Sequence, residues 1–99
     1  MYIGACRVTL HLPASQSLKD KRQVVRSLLA RLRNQFEVAA AEVEHQDLRQ
    51  LATLGLSYVS GDAQHAQEVL EHAARYIEAT RPDVEISALS VEVMRYEPE

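Results

Sequence analysis

The sequence predicts an α+β sandwich of order βαββαβ, with a four-stranded antiparallel sheet carrying two helices on one face. Three observations predict it. Apolar residues alternate with period two in four segments and recur with a helical period in two others. The segments run strand, helix, strand, strand, helix, strand. At 99 residues the chain can enclose one hydrophobic core but not two.

Residues 1–12, MYIGACRVTLHL, place Tyr2, Cys6, Val8, Leu10 and Leu12 in one phase against Arg7, Thr9 and His11 in the other. This predicts a strand with one buried face, ended by Pro13. Ser17 with Asp20 three residues on forms a capping-box pattern, so a helix is expected from Leu18. Its Leu18, Val25, Leu28, Leu29 and Leu32 share one arc, and Asn34 is the expected left-handed stop. Residues 36–45, FEVAAAEVEH, read as a second strand and 52–60, ATLGLSYVS, as a third. Asp62 caps a second helix over 63–80, striped by Ala66, Val69, Leu70, Ala73 and Ile77 and closed by Pro82. Residues 83–97 form the last strand, with a change of apolar phase at Ala88 and Leu89 that predicts a bulge. Right-handed crossovers applied to this order give a ferredoxin-like sandwich, a single domain over 1–99 with the first and third strands central.

Composition limits the function classes. The 46% hydrophobic and 25% charged content is that of a soluble globular protein. The lone Cys6 cannot form an internal disulfide. No apolar run reaches the ~20 residues of a membrane span, and no signal peptide is recognisable, so no membrane role and a cytoplasmic location are expected.

Several chemistries find no residues to carry them. A phosphate cradle between the first strand and first helix needs Gly-rich backbone, whereas HLPASQSL has no Gly and one Pro. Cys6 has no second thiol at metal-ligand spacing and lies in the buried phase, where a thiol is inert. His65 and His72 are seven residues apart on the polar side of their helix, not at the three- or four-residue spacing of a metal site. Glu42, within apolar strand sequence, reads as a partly buried carboxylate paired with an arginine rather than as a tuned catalytic group. No catalytic residue, metal or cofactor is expected. The outward positions of the central strands are Ile3, Ala5, Arg7 and Thr9, with Thr53, Gly55, Ser57 and Val59. None is aromatic, which argues against base stacking on the sheet. Their small, flat character suits a homodimer through the open sheet face.

One feature remains. Residues 18–34 hold six bases, Lys19, Lys21, Arg22, Arg26, Arg31 and Arg33, against Asp20 alone. That is a local charge of +5 in a chain of −3, leaving −8 elsewhere. Lys19, Arg22, Arg26 and Arg33 form one ridge beside the apolar arc, while Lys21 falls near the arc and is expected to snorkel. A helix N-terminus disfavours cations, yet Lys19, Lys21 and Arg22 stand in the first turn. With the hydroxyls of Ser15 and Ser17 they make a candidate anion site, so Ser15, Ser17, Lys19, Lys21, Arg22, Arg26 and Arg33 are the expected nucleic-acid contacts.

HLPASQSLKDKR, AEVEHQDLRQ and TLGLSYVS resemble, in order and spacing, three signatures of the bacterial YlxP-like family, a domain of unknown function. The resemblance spans essentially the whole chain, departing in its Ala-rich second strand. It implies a ferredoxin-like fold and a cytoplasmic bacterial protein whose genes commonly lie among those for translation initiation and ribosome maturation. It supplies no catalytic residues. Together with the basic helix it makes ribosomal RNA or the ribosome the expected partner of a non-enzymatic factor. A homodimeric protein-interaction module without RNA binding and a small-ligand regulatory domain are the alternatives.

Overall fold

The computed structural model describes residues 1–98. Its elements are β1 (Tyr2–His11), α1 (Leu18–Phe36), β2 (Ala39–Glu44), β3 (Leu51–Ser60), α2 (Ala63–Thr80) and β4 (Glu85–Arg95). The strands form one antiparallel sheet in the order β2-β3-β1-β4, so β1 and β3 are central as the crossover argument requires.

The core lies between the sheet and the helices. Period-two alternation sends Cys6, Val8 and Leu10 of β1, with Leu12 just past its end, and Ala52, Leu54 and Leu56 of β3 into it. The arc Val25, Leu28, Leu29 and Leu32 of α1 and the stripe Ala66, Leu70, Ala73 and Ile77 of α2 close it from above. The approach of α2 to β1 is closest at Gly4, where a Cβ would lie 2.6 Å from Leu70 Cδ1. Only a residue without a side chain leaves that packing intact.

Some boundaries move. The left-handed residue that stops α1 is Glu37 (φ 55°), not Asn34, so the helix takes almost one more turn and β2 begins at Ala39 rather than residue 36. The buried Val38 and the edge-to-face contact of Phe36 with Tyr76 hold that extra turn against the core. The register shift in β4 falls between the partners of Thr9 and Leu10, so the extra residue is Ser87, one position before the expected pair. Thr53 is on the outward side of β3 but is fully buried, because His45 folds over it.

Candidate nucleic-acid interface

The N-terminus of α1 is built from local hydrogen bonds. Ser17 Oγ accepts from the backbone N–H of Asp20 (3.1 Å), and Asp20 Oδ2 accepts from that of Gln16 (3.2 Å). These are the reciprocal bonds that a capping box is expected to form, shifted by one residue on the return leg. Ser15 is buried and its Oγ donates to the Ser17 carbonyl. Both hydroxyls are therefore occupied in shaping the turn, and Ser15 is withdrawn from solvent. The expectation that Ser15 contacts an anion is corrected on this ground.

Lys21 is corrected as well. It does not snorkel. It is fully buried, and its Nζ donates to the carbonyls of His45 (2.7 Å), Gln46 (3.1 Å) and Leu51 (3.2 Å). An ammonium has three N–H donors, and all three are thereby used. Glu42 Oε2 lies 2.9 Å from the same nitrogen as an ion-pair partner, close to the charge but with no N–H directed at it. The charge is thus balanced and its donors satisfied, the two conditions under which a buried ammonium is tolerated.

What this cation holds is the β2–β3 connection. His45 adopts a left-handed conformation (φ 64°), which turns its carbonyl toward Lys21, while its Nδ1 bonds Thr53 Oγ1 at 2.8 Å. Thr53 Oγ1 is in turn 3.0 Å from Thr9 Oγ1 on β1. At the other end of the connection, Gln50 Nε2 donates to the carbonyls of Pro13 and Ser15, and its own carbonyl accepts from Leu12 N–H. The SLKDKR and AEVEHQDLRQ segments therefore meet at one corner of the molecule, where their polar residues tie the helix start to the hairpin.

Three of the expected contacts remain free. Lys19, Arg22 and Arg26 are exposed, and none has a side-chain hydrogen bond or ion pair among the described residues. They follow one another at three and four residues, so they form a ridge about 10 Å long at 1.5 Å per residue. Arg33 continues that ridge, but its Nη2 donates to the Ala40 carbonyl and covers the open edge of β2.

Burial pushes the Cys6 thiol up to about 11, away from the thiolate that nucleophilic chemistry needs. His11 faces Glu85 on β4 while His45 bonds Thr53 on β3, so the two histidines turn to opposite sides of β1. Among the described residues no group of three or more His, Cys, Asp or Glu side chains is arranged to hold a metal ion. The arginine after α2, Arg81, is clamped to Asp83, whose carboxyl it holds below the usual range. Among the described residues no helix is long and apolar enough to cross a membrane.

Sheet order, register and helix placement together define a ferredoxin-like α+β protein with an exposed basic ridge on its first helix. Similar solved structures agree in fold. A de novo designed protein, Foldit4, superposes with a TM-score of 0.55 at 9% identity over 98% of this chain and all of that one. A dimeric ferredoxin-like protein from an uncultured marine organism gives 0.54 at 10% identity, over 99% of this chain and 100% of that one. The sequence relationship is more specific. Residues 3–91 match the family described as "Protein of unknown function (DUF503)", and the chain belongs to that family. It is 32% identical over 69 residues to the uncharacterized protein YlxP of Bacillus subtilis (strain 168), covering 70% of this chain and 74% of that protein.

Proposed function

We propose that this protein is a non-enzymatic, RNA-associated factor that contacts backbone phosphates through Lys19, Arg22 and Arg26. One observation carries the reading. The three cations are exposed on one ridge with no side-chain partner among the described residues, at spacings where like charges repel across a helix surface by tenths of a kcal/mol. A chain of net charge −3 that keeps such a ridge has it disposed for a polyanion, and its acidic remainder limits indiscriminate coating of nucleic acid. The sheet, without outward aromatics on its central strands, offers no platform for base stacking, so binding by position on the phosphate backbone is the mode that fits. Ribosomal RNA is the candidate that the family resemblance suggests.

The test is sedimentation of the tagged protein with ribosomal fractions at low and high salt, beside direct RNA titration. A ridge of three cations neutralises about three phosphates, so log affinity is expected to fall with log salt with a slope of about −2 to −3. The triple reversal Lys19→Glu, Arg22→Glu, Arg26→Glu is expected to abolish binding. Reversing Arg75, exposed on α2, is expected to leave it intact. Binding that ignores salt or survives the triple reversal removes this reading.

A second reading, a self-associating module that needs no RNA, is favoured by the exposed apolar residues on the open side of the sheet. The small-ligand reading has less to rest on. The cavity bounded by Leu12, Val24, Arg81 and Asp83 is about 190 Å³, below the ~300–1,000 Å³ of ordinary ligand pockets, and the hollow of about 400 Å³ on the open side of the sheet is shallow and lined by small apolar side chains, with few polar groups to orient a ligand.

A further inference from the structure

The open side of the sheet is divided into a raised part and a hollow part. Val59, Ile3 and Met94 stand side by side on β3, β1 and β4, as the pairings Ile3↔Val59 and Ile3↔Met94 fix. Val59 is 57% and Met94 46% exposed, high values for large apolar side chains in strands. One step along the strands, toward β2, the side chains shrink to Ala5, Ser57, Ala39, Ala41 and Gly55. They floor a shallow depression of about 400 Å³ with Val43 at its far side. Gly55 lets Val43 lie over the floor, since a Cβ there would come within 2.9 Å of Val43 Cγ1 and that side chain would have to shift.

We propose that this face is a homodimer interface in which the Val59–Ile3–Met94 row of each copy enters the Ala-lined hollow of the other. This deepens the self-association reading and is independent of RNA binding. A row beside a hollow on one surface is self-complementary under a two-fold axis, because each copy offers what its partner lacks. The extent is adequate. Four strands at ~4.8 Å and ten residues at ~3.3 Å span about 600 Å² per copy, or about 1,200 Å² in total, the lower bound of specific, stable interfaces. Charge permits it too. Arg7 is paired with Glu44 inside each chain and so brings no unbalanced charge to the contact, and Glu92, which has no ion-pair partner among the described residues, stands exposed on the edge strand β4, where it can stay in water. Both helices lie on the opposite side of the sheet, which leaves Lys19, Arg22 and Arg26 outside the interface.

Equilibrium sedimentation of the full chain, without RNA and over a concentration series, is expected to give a monomer–dimer equilibrium. Ala41→Glu in the hollow and Val59→Lys on the row are each expected to weaken association at least about tenfold, because each puts an unpaired charge into the contact. Both positions are exposed in the single chain, so the circular-dichroism melt is expected to be retained. Mixed in equal amounts, A41E and V59K are expected to recover a dimer, since one of the two symmetric contacts gains an ion pair and the other is unaltered. A chain that stays monomeric at every concentration overturns self-association itself. Dimers that survive both single substitutions, or a mixture that stays monomeric, overturn the row-in-hollow arrangement while leaving self-association standing.

Discussion

Lys19 and Lys21 are two residues apart in sequence and about 200° apart around α1. One is exposed with no side-chain partner among the described residues; the other is fully buried beneath three carbonyls and a carboxylate. Both belong to the same run of bases, and a count of charge treats them alike. The helix phase separates them. It directs Lys21 toward the β2–β3 connection, where a fixed ammonium replaces the packing that a short hairpin loop cannot supply, and it directs Lys19 to solvent beside Arg22 and Arg26. Half of the basic turn is therefore architecture, and the rest is available to a partner.

The sharpest way to break this comparison is to remove the buried cation. Lys21→Met keeps the length of the side chain but leaves three loop carbonyls and Glu42 without their charge partner. It is expected to cost about 3–5 kcal/mol in urea denaturation, as loss of one member of a buried pair does. The double variant Lys21→Met, Glu42→Leu is expected to cost less than the sum of its parts, because the orphaned carboxylate has gone. A loss below about 1 kcal/mol for Lys21→Met would mean that the corner is held by something other than this cage.

Leu32 provides an apolar reference on the same side of the helix, eleven residues and so about 20° round from Lys21. It is fully buried, and Leu32→Ala is expected to cost about 2–5 kcal/mol from lost transfer energy and the cavity left behind. Differential scanning calorimetry checks this. A loss below about 0.5 kcal/mol would show that the phase assigned to α1 is wrong, and with it the division between Lys19 and Lys21.

The phase of Leu32 was legible because every neighbour on its arc repeats the signal, and the order of elements was legible for the same reason. The cap at Ser17 was legible because its bonds are local. The cage around Lys21 was not, since its acceptors are backbone carbonyls 24 to 30 residues away, and carbonyls have no signature in a sequence. Two indirect signs did exist. Lys21 lies within the apolar arc, and Glu42 lies in the inward phase of β2, opposite Leu54. A base and an acid both placed on buried faces are better read as each other's partner than as separate surface groups. The stop of α1 at Glu37 was missed for another reason: a left-handed glutamate is held by packing around Phe36 and Val38, which outweighs the local preference for Asn at such a position.

The smallest expected effect discriminates most finely, because its sign is opposite. Arg22 has Lys19 three residues before it and Arg26 four after, so it stands in two like-charge pairs on the helix surface. It also lies near a helix N-terminus that disfavours cations, with only Asp20 to offset the dipole. Arg22→Glu turns both repulsions into attractions, so it is expected to raise stability by a few tenths to about 1 kcal/mol at low ionic strength. The gain should shrink as salt is added, since the charges are exposed. Chemical denaturation at two salt concentrations measures it. A stabilising substitution that also weakens RNA binding would show a charge retained against the interest of the fold, which is the mark of a surface kept for a partner. A destabilisation above about 1 kcal/mol would show instead that Arg22 is held within the structure as Lys21 is, and the two halves of the basic turn would then be one architectural unit.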